Sequence, residues 1–187
     1  MVRKNIKNGK RNKRDIKEAI KEYFFVHPNA KMRVRQIEKE LKLPLPSVIR
    51  YCKELVNEGI LKTVKTGNVV FYTSNASNEN FILEKKLFNI KSLYKSRLIE
   101  FLKREFSNPV IVVFGSYAHG QDVENSDIDL YIQTPSKKEI NLEKFEKTLK
   151  RKIQVFRHKG ISEIKNTHLI NNIINGITLN NYLEVFK

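Results

Sequence analysis

Asp127 and Asp129 are separated by one residue at the start of an alternating stretch, DIDLYI, over residues 127–132. Period two puts Asp127, Asp129 and Tyr131 on one face and Ile128, Leu130 and Ile132 on the other, so the two carboxylates stand roughly 6.5–7 Å apart at Cα. Like charges this close repel unless a cation lies between them. Hard oxygen donors suit Mg²⁺ or Mn²⁺, and Mg²⁺ is commonly held by one or two carboxylates together with substrate phosphates. Ten residues separate Gly115-Ser116 from Asp127. A glycine there lets the backbone approach a phosphate. Ser116 adds a hydroxyl, and free N–H groups at the start of a following helix would point at the anion. The chemistry these residues suggest is metal-assisted handling of phosphate. An EF-hand is excluded, because its glycine and distal glutamate are missing at the required offsets.

The elements that must position these groups are legible around them. Residues 110–114, rich in β-branched types, follow Pro109, stop at Gly115 and read as a buried strand. Gly120, Asp122, Asn125 and Ser126 mark a polar loop, and residues 127–132 read as the second strand, ended by Thr134-Pro135. An amphipathic helix is expected over 140–150, a third strand over 152–156, a turn at His158-Lys159-Gly160, a helix over 164–175 ended by Gly176, and a last short helix within 177–186. His119 and His168 have no metal-ligand company and read as surface or packing residues.

The order strand, Gly115-Ser116, ten residues, Asp127-x-Asp129 resembles the signature of the DNA polymerase β-like nucleotidyltransferase superfamily. It is most similar to the small stand-alone members, the minimal nucleotidyltransferases, over roughly residues 90–187. The resemblance implies that Gly115 and Ser116 hold a nucleoside triphosphate, with ATP the first expectation. It implies that Asp127 and Asp129 bind Mg²⁺ or Mn²⁺ and act as catalytic residues. The implied reaction moves a nucleoside monophosphate to a hydroxyl on a protein or an RNA, and some small members are antitoxins that modify a partner toxin. The family commonly carries a third acid on the strand after the helix. That strand reads Ile153-Gln154-Val155, so Gln154 is the expected occupant, an amide that cannot serve as a base near neutral pH. Glu163 or an acid from a partner is the alternative source.

The N-terminal part has a different character. The chain carries 36 Lys and Arg against 20 Asp and Glu, a net +16; residues 1–75 hold +11 of it and residues 76–187 the remaining +5. Such asymmetry points to a polyanionic partner, with solubility or thermal stability as the bland alternatives. Residues 1–13 read as a disordered basic arm. Asp15 is expected to cap a helix over 16–26. A second helix follows over 34–41, and a third opens at Pro46-Ser47 and runs to Glu58 with Val48, Ile49, Cys52, Leu55 and Val56 inward. Strands over 60–65 and 69–73 are joined by Thr66-Gly67-Asn68. Three helices and a hairpin in this order resemble a winged helix-turn-helix domain. That resemblance makes the third helix a DNA- or RNA-recognition helix, with Ser47, Arg50, Tyr51 and Lys53 outward, and Lys62, Lys65 and Asn68 on the wing.

The expected organisation is α+β: a basic arm (1–13), a winged helix (14–75), linker helices (76–106) with a break near Asn89, and a small mixed-sheet nucleotidyltransferase domain (107–187). Apolar positions such as Leu83, Leu87 and Leu93 on the linker would pack domains together or pair two subunits as a homodimer. The single cysteine, Cys52, excludes an internal disulfide and reads as a core residue. The chain has no apolar run long enough to span a membrane and no signal peptide pattern, so a cytoplasmic protein is expected. The non-enzymatic alternative is a DNA-binding transcription regulator whose transferase domain only senses nucleotide.

Overall fold

The computed structural model describes residues 13–185, so the expected basic arm lies outside the described residues except for Lys13. Helices α1 (Lys13–Val26), α2 (Val34–Leu41) and α3 (Leu45–Asn57) precede a hairpin of β2 (Leu61–Thr66) and β3 (Val69–Ser74). Ile20, Phe24, Ile37, Val48, Cys52 and Leu55 recur at helical spacing and close one core with Leu61 and Tyr72. Burial pushes the Cys52 thiol up to about 12, which suits a packing residue. Pro46 lies in the first turn of α3, where its missing N–H is tolerated, and Gly59 takes the left-handed position after the helix (φ +76). A two-residue strand, β1 (Lys31–Met32), pairs with the other edge of β3 and is too short for any periodicity to announce.

Three expectations here need correction. Asp15 does not begin α1 but lies within it, since Lys13 and Arg14 are good helix formers. Ile49, expected inward, is 37% exposed, and Tyr51, expected outward, is 6% exposed. The inward arc of α3 is Val48, Tyr51, Cys52 and Leu55, the i, i+3, i+4, i+7 set.

Asn78 caps α4 (Glu79–Lys95), its side chain accepting from the Asn80 N–H. The expected break near Asn89 is absent. The chain turns instead at Ser96-Arg97, where Arg97 is left-handed (φ 62), and restarts as α5 (Leu98–Glu105). Asn89 leaves the helix intact because its amide points away from its own backbone, donating to Tyr117 O (2.8 Å) and Asp122 Oδ1 (2.7 Å). Helix α4 serves two cores: Phe81 and Phe88 pack on Phe25 in the first, and Leu93 enters the second. Leu83 and Leu87, expected to pack, are exposed.

The second core is built on a four-stranded mixed sheet, in the order β6 (Ile153–His158), β5 (Ile128–Gln133), β4 (Val110–Phe114), β7 (Ile177–Asn180). β4 runs antiparallel to both β5 and β7, while β5 and β6 are parallel. Ile111, Val113, Ile128, Leu130 and Ile132 pack on one face against α5 and on Phe145 of α7 (Glu143–Leu149). Val112, Phe114 and Tyr131 face the other way, against Ile161, Ile164 and Ile173. The expected helix over 140–150 is shortened to α7, because the Asn141 side chain accepts from the Glu143 N–H and starts the helix there. The helix expected over 164–175 is α8 (Thr167–Ile174), capped by Asn166 and preceded by a 3₁₀ turn, Ile161–Glu163. Within 177–186 the chain forms β7 rather than helix: its residues cover the edge of β4, which would otherwise leave backbone groups unpaired.

A buried charge cluster lies between the two cores. Asp122 is 2% exposed and Lys85 1%. The Asp122 carboxylate meets Lys85 Nζ (3.2 Å), Arg151 Nη2 (3.3 Å) and the Asn89 amide, and the Asp122 carbonyl also accepts from Lys85. Arg151 Nη2 donates in turn to Val26 O (2.9 Å) at the end of α1. Burial lowers the Lys85 pKa against the opposing pull of Asp122. Removing one member of such a cluster strands the others without water. Asp122→Ala is therefore expected to lower the unfolding free energy by about 3–5 kcal/mol, measured by urea denaturation of the full-length protein. A loss below about 1 kcal/mol, the range of an exposed pair, would show that the cluster does not hold the fold.

Candidate active site

Strand β4 delivers the chain directly into a short helix, α6 (Gly115–His119). Gly115 makes this turn with φ +71, and a Cβ added there would stand 2.6 Å from Asp129 Oδ2. The β4/β5 register explains the closeness, since Phe114 is the partner of Asp129. Glycine is thus required twice at position 115, by its backbone angle and by the carboxylate against it. Gly120 ends α6 at φ +72, where a Cβ would meet Ile82 O of α4 at 2.5 Å. Helix α6 is held between Asp129 at one end and the backbone of α4 at the other.

Asp127 lies one residue before β5, rather than opening the strand, and is exposed; Asp129 lies in the strand and is half-buried. The Asp129 carboxyl is held above the usual carboxylate range, first by burial and second by the Asp127 charge. Gln154 is the register partner of Asp129 across the parallel β5/β6 pair, which puts it on the same sheet face. Its side chain is exposed. Ser116, half-buried, follows Gly115 in the turn. Gly115, Ser116, Asp127, Asp129 and Gln154 are therefore gathered at one end of the sheet. Glu163, the alternative source of a third acid, is not: its carboxylate accepts from the Lys159 N–H beyond the far end of β6. Beside Asp127, a cleft of about 680 Å³ opens between the 124–127 loop and α7, bordered by Glu124, Ser126, Lys147, Lys150 and Lys152.

Among the described residues no three His, Cys, Asp or Glu side chains cluster as a metal cage. The donor set at this end is two carboxylates and one amide. It fits a divalent cation with hard oxygen preference, its remaining ligands coming from phosphate or water. A cation there would oppose both causes of the raised Asp129 pKa, burial first and the Asp127 charge second.

The surface expected to meet nucleic acid is partly intact. Arg50 and Lys53 on α3 and Lys62, Lys65 and Asn68 on the hairpin are exposed, and Ser47 is half-exposed. Tyr51 is instead a buried platform, with the Arg50 guanidinium 4.3 Å from its ring centroid. Arg50 also faces Glu54 at 3.6 Å.

Sequence reasoning missed the residues that hold the loop between the Gly-Ser turn and the aspartates: Asp122, Lys85, Asn89 and Arg151. A signal existed. Phe81, Lys85, Phe88, Asn89 and Ser92 recur at the spacing of an inward helix face, and a lysine and an asparagine on that face call for buried partners.

Residues 95–178 match the nucleotidyltransferase domain family. No curated protein and no solved structure matches the chain.

The Asp129 shift has a definite sign. A carboxyl raised in the folded state binds more protons there than in the unfolded chain, so stability falls as pH rises from the usual aspartate range through the folded pKa, and the penalty is complete above it. Asp129→Asn is expected to melt above wild type near pH 7 in metal-free buffer, with the gap closing as pH is lowered below about 4. Added Mn²⁺ should raise the wild-type melting temperature and leave the variant unmoved. A gap that does not change with pH would refute the charge-crowding explanation.

Proposed function

We propose that the second half of the chain is a divalent-metal-dependent nucleotidyltransferase. In this reading it moves a nucleoside monophosphate from a nucleoside triphosphate, with ATP as the first candidate, to a hydroxyl on a protein or an RNA. The observation that carries the reading is the contact of Gly115 with Asp129. In this reading Gly115 belongs to a phosphate-binding turn, and it lies so close to Asp129 that an added Cβ would stand 2.6 Å from Oδ2, within the span of residues 95–178 that matches the nucleotidyltransferase domain family. Gly115 and Ser116 would hold the triphosphate, and Asp127 and Asp129 would hold Mg²⁺ or Mn²⁺. Such a cation, when bound, neutralises phosphate charge and polarises the phosphorus under attack. Phosphoryl transfer depends mainly on positioning and charge, and a glycine turn clamped between Asp129 and α4 supplies a rigid frame for both. The cleft beside Asp127 would admit the acceptor, with Lys147, Lys150 and Lys152 on its rim.

We read the N-terminal helices and hairpin as a winged helix that binds DNA or RNA. Its support is the exposed set Arg50, Lys53, Lys62, Lys65 and Asn68 together with the +11 charge of residues 1–75. A toxin-like protein acceptor is compatible with the same transferase site. One observation favours a second reading, a regulator that binds nucleotide without transferring it: Gln154 stands beside Asp129 where a third acid would lie.

The two readings separate in one assay. Full-length protein with labelled ATP, Mg²⁺ and cell extract should label protein or RNA, and Asp127→Asn with Asp129→Asn should abolish the label. Nucleotide binding with no label on either acceptor would favour the regulator. Gln154→Asp should tighten Mn²⁺ binding and raise any transfer rate, up to the roughly 10²–10⁴-fold typical of a general base. Nucleic-acid affinity should fall steeply with salt, and Arg50→Ala with Lys53→Ala should weaken it and flatten that slope by about two units. Affinity independent of salt would reject the docking surface.

A further inference from the structure

The far end of the β5/β6 pair, beyond Tyr131 and Phe156 from the aspartates, carries a second group of unsatisfied polar atoms. Four buried side-chain nitrogen or oxygen atoms lack a hydrogen-bond partner among the described residues, and three of them meet here: Tyr131 Oη, Gln133 Oε1 and His158 Nδ1. Gln133 and His158 are register partners. The Tyr131 and His158 rings stack with centroids 6.2 Å apart at 20°. An orphaned buried polar atom is costly, so one on a residue that borders a cavity invites a partner there.

His158 forms part of the wall of a pocket of about 230 Å³. A single water takes up about 30 Å³, so the space suits something larger. Lys137, Arg157 and Lys159 also line it, and Ser136 adds a hydroxyl. Lys137 and Lys159 form no ion pair among the described residues; the Arg157 guanidinium is fixed by donating to Lys138 O and by lying 5.8 Å from the Phe106 ring centroid. The one acid on the rim, Glu163, accepts from the Lys159 N–H at 2.9 Å. Burial first, and the Glu163 charge second, push the Tyr131 hydroxyl up to about 12, so it remains a donor at neutral pH.

We propose that this pocket binds a phosphate group, free or on a small phosphomonoester, at a site separate from Gly115 and Asp129. Three cations on the rim reject a metal ion, and an apolar ligand would leave the orphaned nitrogen of His158, on the wall, unpaired. Phosphate oxygens accept from Lys137, Lys159 and the Ser136 hydroxyl on the wall, and the orphaned His158 Nδ1 offers a donor in one tautomer. The site stands on its own geometry and does not depend on the transferase reading.

The test uses full-length, metal-free protein at constant pH and ionic strength. The chain has four histidines, and the His158 imidazole signal is assigned in NMR spectra by its loss in His158→Gln. Titration with inorganic phosphate should move this signal saturably, whereas chloride should not. The double variant Lys137→Ala with Lys159→Ala removes two exposed charges and should bind at least about tenfold more weakly at an unchanged melting temperature. Ribose 5-phosphate binding tighter than inorganic phosphate would assign the site to a phosphomonoester, and equal binding would assign it to free phosphate. An unmoved His158 signal, an equal response to chloride, or unchanged phosphate binding in the double variant would overturn the proposal.

Discussion

One buried carboxylate, Asp122, governs how the parts of this molecule sit together. Its two oxygens are shared among Lys85, Asn89 and Arg151, which come from α4 and from the turn between α7 and β6. A charge so far from water is tolerable only when every partner is in place, so the cluster admits one relative position of helix, loop and sheet. Arg151 extends the constraint to the first core through the carbonyl of Val26. Asn29 and Lys21 add polar ties across the same boundary, to Glu124 and Glu84. These outer pairs are exposed or half-exposed and each contributes little, so they orient the contact while the buried cluster decides it.

The candidate site follows from that anchoring. Asp122 lies two residues after Gly120 and five before Asp127, so the loop joining the Gly115-Ser116 turn to Asp127 and Asp129 is pinned near its middle. Gly120 against α4 and Gly115 against Asp129 leave α6 little room to move. The result is a rigid turn set against a half-buried carboxylate, with a second carboxylate two residues before it. Gln154, the register partner of Asp129, sets a neutral amide beside it rather than another charge.

Much of this was visible in the sequence because it depends on local rules. The Gly-Ser turn, the alternation through Ile128, Leu130 and Ile132, the edges of α2 and the hairpin at Gly67-Asn68 each follow from backbone preference or period. The placing of Gln154 beside Asp129 was expected from the family resemblance, and the β5/β6 register pairs the two residues. The failures share a different cause. β7 exists because β4 needed a neighbour, and nothing within residues 177–180 says so. Tyr51 and Ile49 were exchanged because a one-position rotation of α3 is decided by its packing partners. Asn89 looked like a helix breaker, whereas distant Asp122 and Tyr117 gave its amide a use that spares the helix. Long-range pairing, not local propensity, settled each of these.

Helix α4 has a consequence for how the protein is made. The first core takes Phe81 and Phe88 from it, so a nascent chain that has emerged only through β3 lacks two of the aromatic rings that close that core. Completion waits for α4, and the Asp122 and Arg151 contacts wait longer still. The N-terminal segment would leave the ribosome with part of its apolar surface uncovered, and that surface would be sealed only as later residues arrive. Closure of the first core thereby waits on a helix that also reaches into the second.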